Sequence, residues 1–320
     1  QDLFDTTDLN GNRLAAIDST DLSPRHRESS REPWQFPEDK GTPLVWETAN
    51  ARILKSSLSV TLISSGKMGP KVQAVKRIKF YYELPRIDLS WTFTFDNASI
   101  GTFYDDQSKL RTHWPLAYQG DIVHDIAFGV VESRDERPFF PASWVDVSDG
   151  IKGLAYFHKG TPRHWVSHDG VLVNLFAWGE FTEAIGSRMW RHNWPKGFDQ
   201  RLRGTHTIQA ALYPHSGDWR SADVIKMARE YGQGPLAVLT EAHSGELDDR
   251  LSLLSIENSH LTATAIKTEN ETTVCRLYAV NDKPTPVNVE TEIVSDLELR
   301  SLDQKVITTL KPFQIGELHF

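Results

Sequence analysis

Three aspartates sit where a carboxyl could meet a substrate. Asp146 and Asp149 lie in Trp144-Val145-Asp146-Val147-Ser148-Asp149-Gly150, and Asp218 lies in Pro214-His215-Ser216-Gly217-Asp218-Trp219. Retaining glycoside hydrolysis needs two carboxyl groups facing one bond, one as nucleophile and one as acid/base. Local sequence gives two of them simpler work. Asp149 precedes Gly150 and suits a turn, while Asp218 stands ahead of a helical pattern and suits its N-terminal cap. His158, His164, His168 and Asp169 could tempt one toward zinc, which takes three or four converging N, S or O ligands. However, Thr161-Pro162-Arg163 and Asp169-Gly170 mark turns, so His164 and His168 do not share a helical face and no metal site is expected. His215, just past Pro214, is expected to bond a neighbouring backbone group or carboxylate. No residue is assigned a catalytic role.

The densest gathering of aromatic and polar groups is Trp190-Arg191-His192-Asn193-Trp194. Flat indoles stack on sugar rings, and Arg191, His192 and Asn193 offer donors and an acceptor for hydroxyls. Trp190, Arg191, His192 and Trp194, with His215 and Asp218, are therefore the candidates for contact with a sugar or a partner domain. The competing reading has both indoles pinning a loop onto the core. Asp8-Leu9-Asn10-Gly11 suggests a calcium loop only until its twelfth position, which falls on Ile17 where a bidentate acid is needed.

The elements that must position these residues read as strands. Leu89, Trp91, Phe93 and Phe95 alternate with Ser90, Thr92 and Thr94, a half-buried strand over 87–95. Further strands are expected at 52–55, 58–63, 72–82, 122–131, 144–147, 153–158, 170–178 and 205–213, with Pro214 stopping the last. Ala222, Ile225 and Ala228 give the one helical stripe, over 219–231, ended by Gly232, Gly234 and Pro235. Val287, Val289, Thr291 and Ile293 alternate in a later strand. The pattern implies an all-β chain: a polar lead-in at 1–40, a large antiparallel β-sandwich at 41–235, a linker at 236–250 and a smaller β-domain at 251–320.

Composition sets outer limits. The 320 residues carry a formal net charge of −8 and no basic run with interleaved aromatics, which sets nucleic acid aside. No apolar run approaches a membrane span, so no membrane partner is expected. The ten Trp are expected mostly in the core. Cys275, the single cysteine, falls in a strand pattern and reads as a buried small apolar residue. Cysteine poverty fits a cytoplasmic and a bacterial exported protein equally well. The chain begins at Gln rather than Met, which reads as a processed or truncated product.

Ala211-Leu212-Tyr213-Pro214-His215-Ser216-Gly217-Asp218-Trp219-Arg220 resembles the strand–turn–helix segment in the C-terminal β-region of family 38 glycoside hydrolases, the retaining α-mannosidases. Leu84-Pro85-Arg86-Ile87-Asp88-Leu89, Trp144 to Gly150, Ser255 to Asn258, Ala265 to Lys267, Arg276-Leu277-Tyr278 and Leu310 to Ile315 resemble further parts of that region in the same order. The resemblance runs from about Leu44 to Phe320. It implies a galactose mutarotase-like supersandwich followed by a smaller C-terminal β-sandwich. It also implies a zinc-dependent catalytic α/β domain ahead of this region, holding the metal ligands and the nucleophile. Only the polar residues 1–40 precede the first β-like segment here, so that half is expected to lie outside the chain, with no cofactor expected within it. The partners implied are a mannose-type glycan and the catalytic domain. A stand-alone carbohydrate-binding protein and an independent sugar epimerase or lyase are the alternatives.

Overall fold

The computed structural model describes residues 4–7, 13–17, 46–68, 70–100, 109–133, 137–168, 170–179, 181–182, 198–234, 236–241, 244–245, 252, 254–256, 258, 260–269, 272–281, 283–290 and 297–320. Strands dominate them. The chain runs through β1 (Phe4–Thr7), β2 (Arg13–Ile17), β3 (Trp46–Lys55), β4 (Ser59–Met68), β5 (Val72–Tyr81), β6 (Ile87–Ala98), β7 (Leu110–Pro115), β8 (Asp121–Ile126) and β9 (Gly129–Ser133). It continues with β10 (Trp144–Ser148), β11 (Lys152–His158), β12 (His164–Val166), β13 (Val171–Ala177), β14 (Phe181–Thr182), β15 (Phe198–Asp199) and β16 (Leu202–Ser216). The helix α1 (Val224–Gln233) follows, then β17 (Ser255–Ile256), β18 (Leu261–Glu269), β19 (Thr272–Ala279), β20 (Thr285–Pro286), β21 (Val289–Glu290), β22 (Glu298–Ser301), β23 (Thr309–Leu310) and β24 (Ile315–His319).

The pairings from β3 through β8 are antiparallel in the large sheet, whose order is β3-β4-β5-β6-β16-β11-β10-β8-β9. A three-stranded sheet, β12-β13-β7, faces it. Why they pack is written in the alternation of β6. Leu89, Trp91, Phe93 and Phe95 are buried, and the residues between them are not. A pleated strand sends successive side chains to opposite faces, so one face of β6 enters the core. Trp91 and Phe93 meet Phe176 of β13 at centroid distances of 4.9 and 6.4 Å. Leu110, Trp114 and Leu172 from the small sheet join the same cluster as Ile78, Leu89, Val145, Tyr156 and Leu212 from the large one. The opposite face of β6 and β16 is hydroxyl-rich, with Thr92 paired to Thr207 at 3.1 Å and Thr94 to Thr205 at 3.0 Å. It is a sandwich.

Several boundaries differ from the sequence reading. Residues 122–131 form a hairpin rather than one strand, because Phe128 takes φ 57° ahead of Gly129. Within the lead-in, β1 pairs antiparallel with β2, where no strand was expected. Pro214 does not stop its strand. β16 runs on to Ser216, pairing Pro214 with Leu154 of β11. The missing N–H is tolerated because β6, the neighbour on the other side, ends its pairing at Leu212. The helix begins at Val224, not Trp219, since Asp223 takes φ 51° and 219–223 form turns. Asp218 is therefore not its cap. Val289 and Glu290 form a two-residue strand, and Thr291 and Ile293 lie outside the described residues.

The chain divides into two compact units: Gln1–His124 with Glu132–Trp219, and Asp125–Val131 with Arg220–Phe320. The second is built on a four-stranded sheet, β18-β19-β24-β22, with the pairs β17-β21 and β20-β23. Leu261, Cys275, Leu277, Ala279, Leu299, Leu310 and Leu318 form its core, and Cys275 is fully buried there. Val224, Ile225, Ala228 and Tyr231 make the buried stripe of α1. Arg229 anchors the helix within this unit. Its guanidinium donates to the carbonyl of Ala263 and lies 5.9 Å from the Tyr278 ring centroid.

Candidate functional site

Asp146 and His215 meet on the face of the large sheet opposite the sandwich core. The register Asp146↔Ala155↔Tyr213 and Ser148↔Gly153↔His215 sets β10, β11 and β16 side by side. His215 lies diagonally over the middle strand, and its Nε2 donates to Asp146 Oδ1 at 2.7 Å. The crossing requires a glycine. A Cβ on Gly153 would fall on the imidazole, 2.7 Å from Nε2 and closer still to Cε1. Nδ1 lies 3.3 Å from the carbonyl of Ser216. The carboxylate accepts from Nε2, so the contact is a buried imidazole–carboxylate hydrogen bond.

This pair is closed to a substrate. The His215 side chain is 3% exposed and that of Asp146 is 0%. Tyr213 lies 5.6 Å from the imidazole and Phe157 stacks on Tyr213 at 6.0 Å. Trp144, two residues before Asp146, packs on Trp219 at 5.8 Å. Tyr118 donates to the Val147 carbonyl at 2.7 Å. Burial, followed by the charges of Asp146 and Asp149, pushes its phenol well above the usual range. Oδ2 of Asp146 is buried and makes no hydrogen bond among the described residues. Removing one member of such a buried hydrogen-bonded pair costs about 1–3 kcal/mol, so its immediate effect is on stability. Asp149 accepts from the backbone N–H groups of Ile151 and Lys152, each at 2.9 Å, which fixes the β10–β11 turn with Gly150 at φ 84°.

A second polar cluster sits between the two sheets. His158 ends β11 and His164 opens β12, and their rings are 5.0 Å apart. Tyr156 approaches His164 edge-on at 5.4 Å, and Phe139 stacks with both His164 and His124, at 6.2 and 4.9 Å. Tyr156 donates to Asn174 Oδ1 at 3.0 Å, and Asn174 Nδ2 donates to the carbonyls of Thr161 and Arg163. Burial first, then the neighbouring His158, hold His164 well below the ordinary imidazole pKa. His168 is exposed and stands apart, and Asp169 lies outside the described residues. Among the described residues no group of three or more His, Cys, Asp or Glu is arranged to hold a metal.

Of the sequence candidates, Trp190, Arg191, His192 and Trp194 lie outside the described residues. His215 is in the buried pair, and Asp218 is half-buried in the turn that follows β16. Sequence reasoning missed His124, Tyr156 and Asn174. A signal existed for one of them, since Asn174 interrupts the apolar run Val171-Leu172-Val173-Asn174-Leu175-Phe176.

No family model matches the chain, and neither does any curated protein. Solved structures do match. An alpha-mannosidase from Enterococcus faecalis V583 aligns with TM-score 0.67 and 15% identity over 86% of this chain and 35% of its own. A glycosyl hydrolase family 38 protein from Enterococcus faecalis aligns with TM-score 0.68 and 16% identity over 88% of this chain and 37% of its own. A putative aldose 1-epimerase from Escherichia coli K12 reaches only 0.28, too slight to bear on the chemistry. The likeness to the first two is one of fold, and the chain spans about a third of their length. The resemblance carried by Ala211 to Arg220 is thus present in the fold of nearly the whole chain.

Proposed function

We propose that this chain is the non-catalytic β-sandwich region of an α-mannosidase-like retaining glycoside hydrolase, packing on a catalytic domain and shaping its carbohydrate site. The carrying observation is the asymmetry of the match, which takes in 86–88% of this chain and only 35–37% of the family 38 structures. The buried Asp146–His215 pair supports the same reading, because a carboxyl with no exposed surface cannot flank a glycosidic bond. In the intact enzyme the chemistry would be zinc-assisted hydrolysis of an α-mannosidic bond, with the metal held outside these residues. Trp190, Arg191, His192 and Trp194 would supply the contact to sugar or catalytic domain.

The test is an assay of the purified 320-residue chain on an aryl α-mannoside, with and without added zinc, together with metal analysis. No turnover and no stoichiometric zinc are expected. Zinc-dependent turnover by this chain alone would overturn the proposal.

A further inference from the structure

Two features of this chain lack a strand partner among the described residues and complement each other. The first is β3, the outermost strand of the large sheet, which pairs with β4 alone among the described residues. Asn50 to Lys55 are all exposed, Ile53 by 61% and Leu54 by 49%. An edge strand presents a row of unused N–H and C=O groups, and a long exposed edge with apolar side chains is a template for another strand. The second is Leu236-Ala237-Val238-Leu239-Thr240-Glu241. Leu236 and Leu239 are exposed by 94% and 101% and Val238 by 76%. The segment carries no helix or strand, and none of its backbone groups has a backbone hydrogen bond among the described residues.

We infer that Leu236–Glu241 of one copy adds as a strand to the β3 edge of a second copy. Lengths agree, since six extended residues span about 20 Å on either side. Side chains agree in one register. Ile53 is paired with Leu62, which packs on the sandwich core, so the face bearing Ile53 continues that core to the sheet's rim. A parallel addition with Leu239 opposite Ile53 extends the same apolar row by one strand. It also sets Glu241 opposite Lys55 and Ala237 opposite Ala51 on that face. On the other face Val238 meets Arg52 and Thr240 meets Leu54. A separate chain needs no crossover connection, so the parallel direction is open to it. Opposite charges facing each other across strands stabilise the register and like charges oppose it.

Analytical ultracentrifugation of the wild-type chain and of Lys55→Glu, Glu241→Lys and the double variant tests this. Both changes fall on exposed side chains. The wild type is expected to associate. Each single variant should raise the dissociation constant about tenfold by placing like charges opposite each other. The double variant restores the pair with its signs exchanged and should associate like the wild type. An equimolar mixture of the two single variants should also reassociate, because each chain then presents a complementary charge to the other. A wild type that stays monomeric at about 100 μM overturns the inference. So does a double variant that stays as weak as the single ones, or single variants indistinguishable from the wild type.

Discussion

His215 reaches Asp146 across Gly153, and the 2.7 Å contact depends on the middle strand having no side chain there. The glycine and the buried pair are one device. Gly153→Ala should push the imidazole aside and cost about 1–3 kcal/mol of stability, the usual range for overpacking a closed site. Asp146→Ala should cost about 1–3 kcal/mol, because it leaves the buried Nε2 donor of His215 without its acceptor. Both changes act through His215, so the double variant should cost less than the two added together. Urea midpoints of the four proteins check this. Strict additivity would show that the glycine and the pair are independent.

A second prediction concerns acid. His164 is held below the ordinary value of 6.5 by burial and by His158. Below that value the unfolded chain binds a proton that the folded chain refuses. Stability is therefore full above about pH 6.5 and falls as pH drops beneath it, by up to about 1.4 kcal/mol per pH unit for this one group. Asp303, pulled down to about 2 by Lys305, loses its own contribution only in more acidic solution. Denaturant midpoints between pH 5 and 7.5 should show the slope. Replacing His164 by Asn should flatten it, and an unchanged slope would assign the effect elsewhere.

Much of the fold is legible because it rests on local alternation. Trp91, Phe93 and Phe95 announce β6 by themselves, and the observed burial follows their period. The sites are not legible, because they rest on register. Asp146 and His215 stand 69 residues apart and meet only through the pairing of β10, β11 and β16. His158 and His164 converge across the turn that Thr161-Pro162-Arg163 marks, and their 5.0 Å approach depends on where β11 ends and β12 begins. The helix starts later than its apolar stripe implies, for a related reason. Its apolar stripe holds from Ala222 onward, but Asp223 in a left-handed conformation separates the preceding turns from the first true helical residue.

The polar network between the sheets gives a third prediction. Tyr156→Phe removes one hydroxyl and leaves Asn174 Oδ1 buried without its donor, at a cost of about 1–3 kcal/mol. Asn174→Ala should cost at least as much, since the carbonyls of Thr161 and Arg163 lose their donor too. Calorimetric melting temperatures test both. A neutral Asn174→Ala would mean that water replaces the amide without loss.

The paired indoles are open to a fourth. Replacing Trp190 and Trp194 together by Ala separates a contact surface from a structural pin. A contact surface leaves the melting temperature nearly unchanged, at under about 0.5 kcal/mol, while binding to a mannose-type oligosaccharide weakens. Core pins cost on the order of 3–5 kcal/mol each. A large drop in melting temperature would reject the contact role.

Cys275 has a practical consequence. It is the chain's single cysteine, and it is wholly enclosed in the core of the second unit, where burial also raises its thiol pKa. A thiol reagent meets it only when that core opens, so the rate of labelling is a clock for the opening of one unit alone. Tryptophan emission should be weighted toward the other, since Trp91, Trp114, Trp144, Trp165 and Trp219 all belong to the first unit. The unmodified protein thus carries two separate reporters, which can tell whether its halves come apart together or in turn.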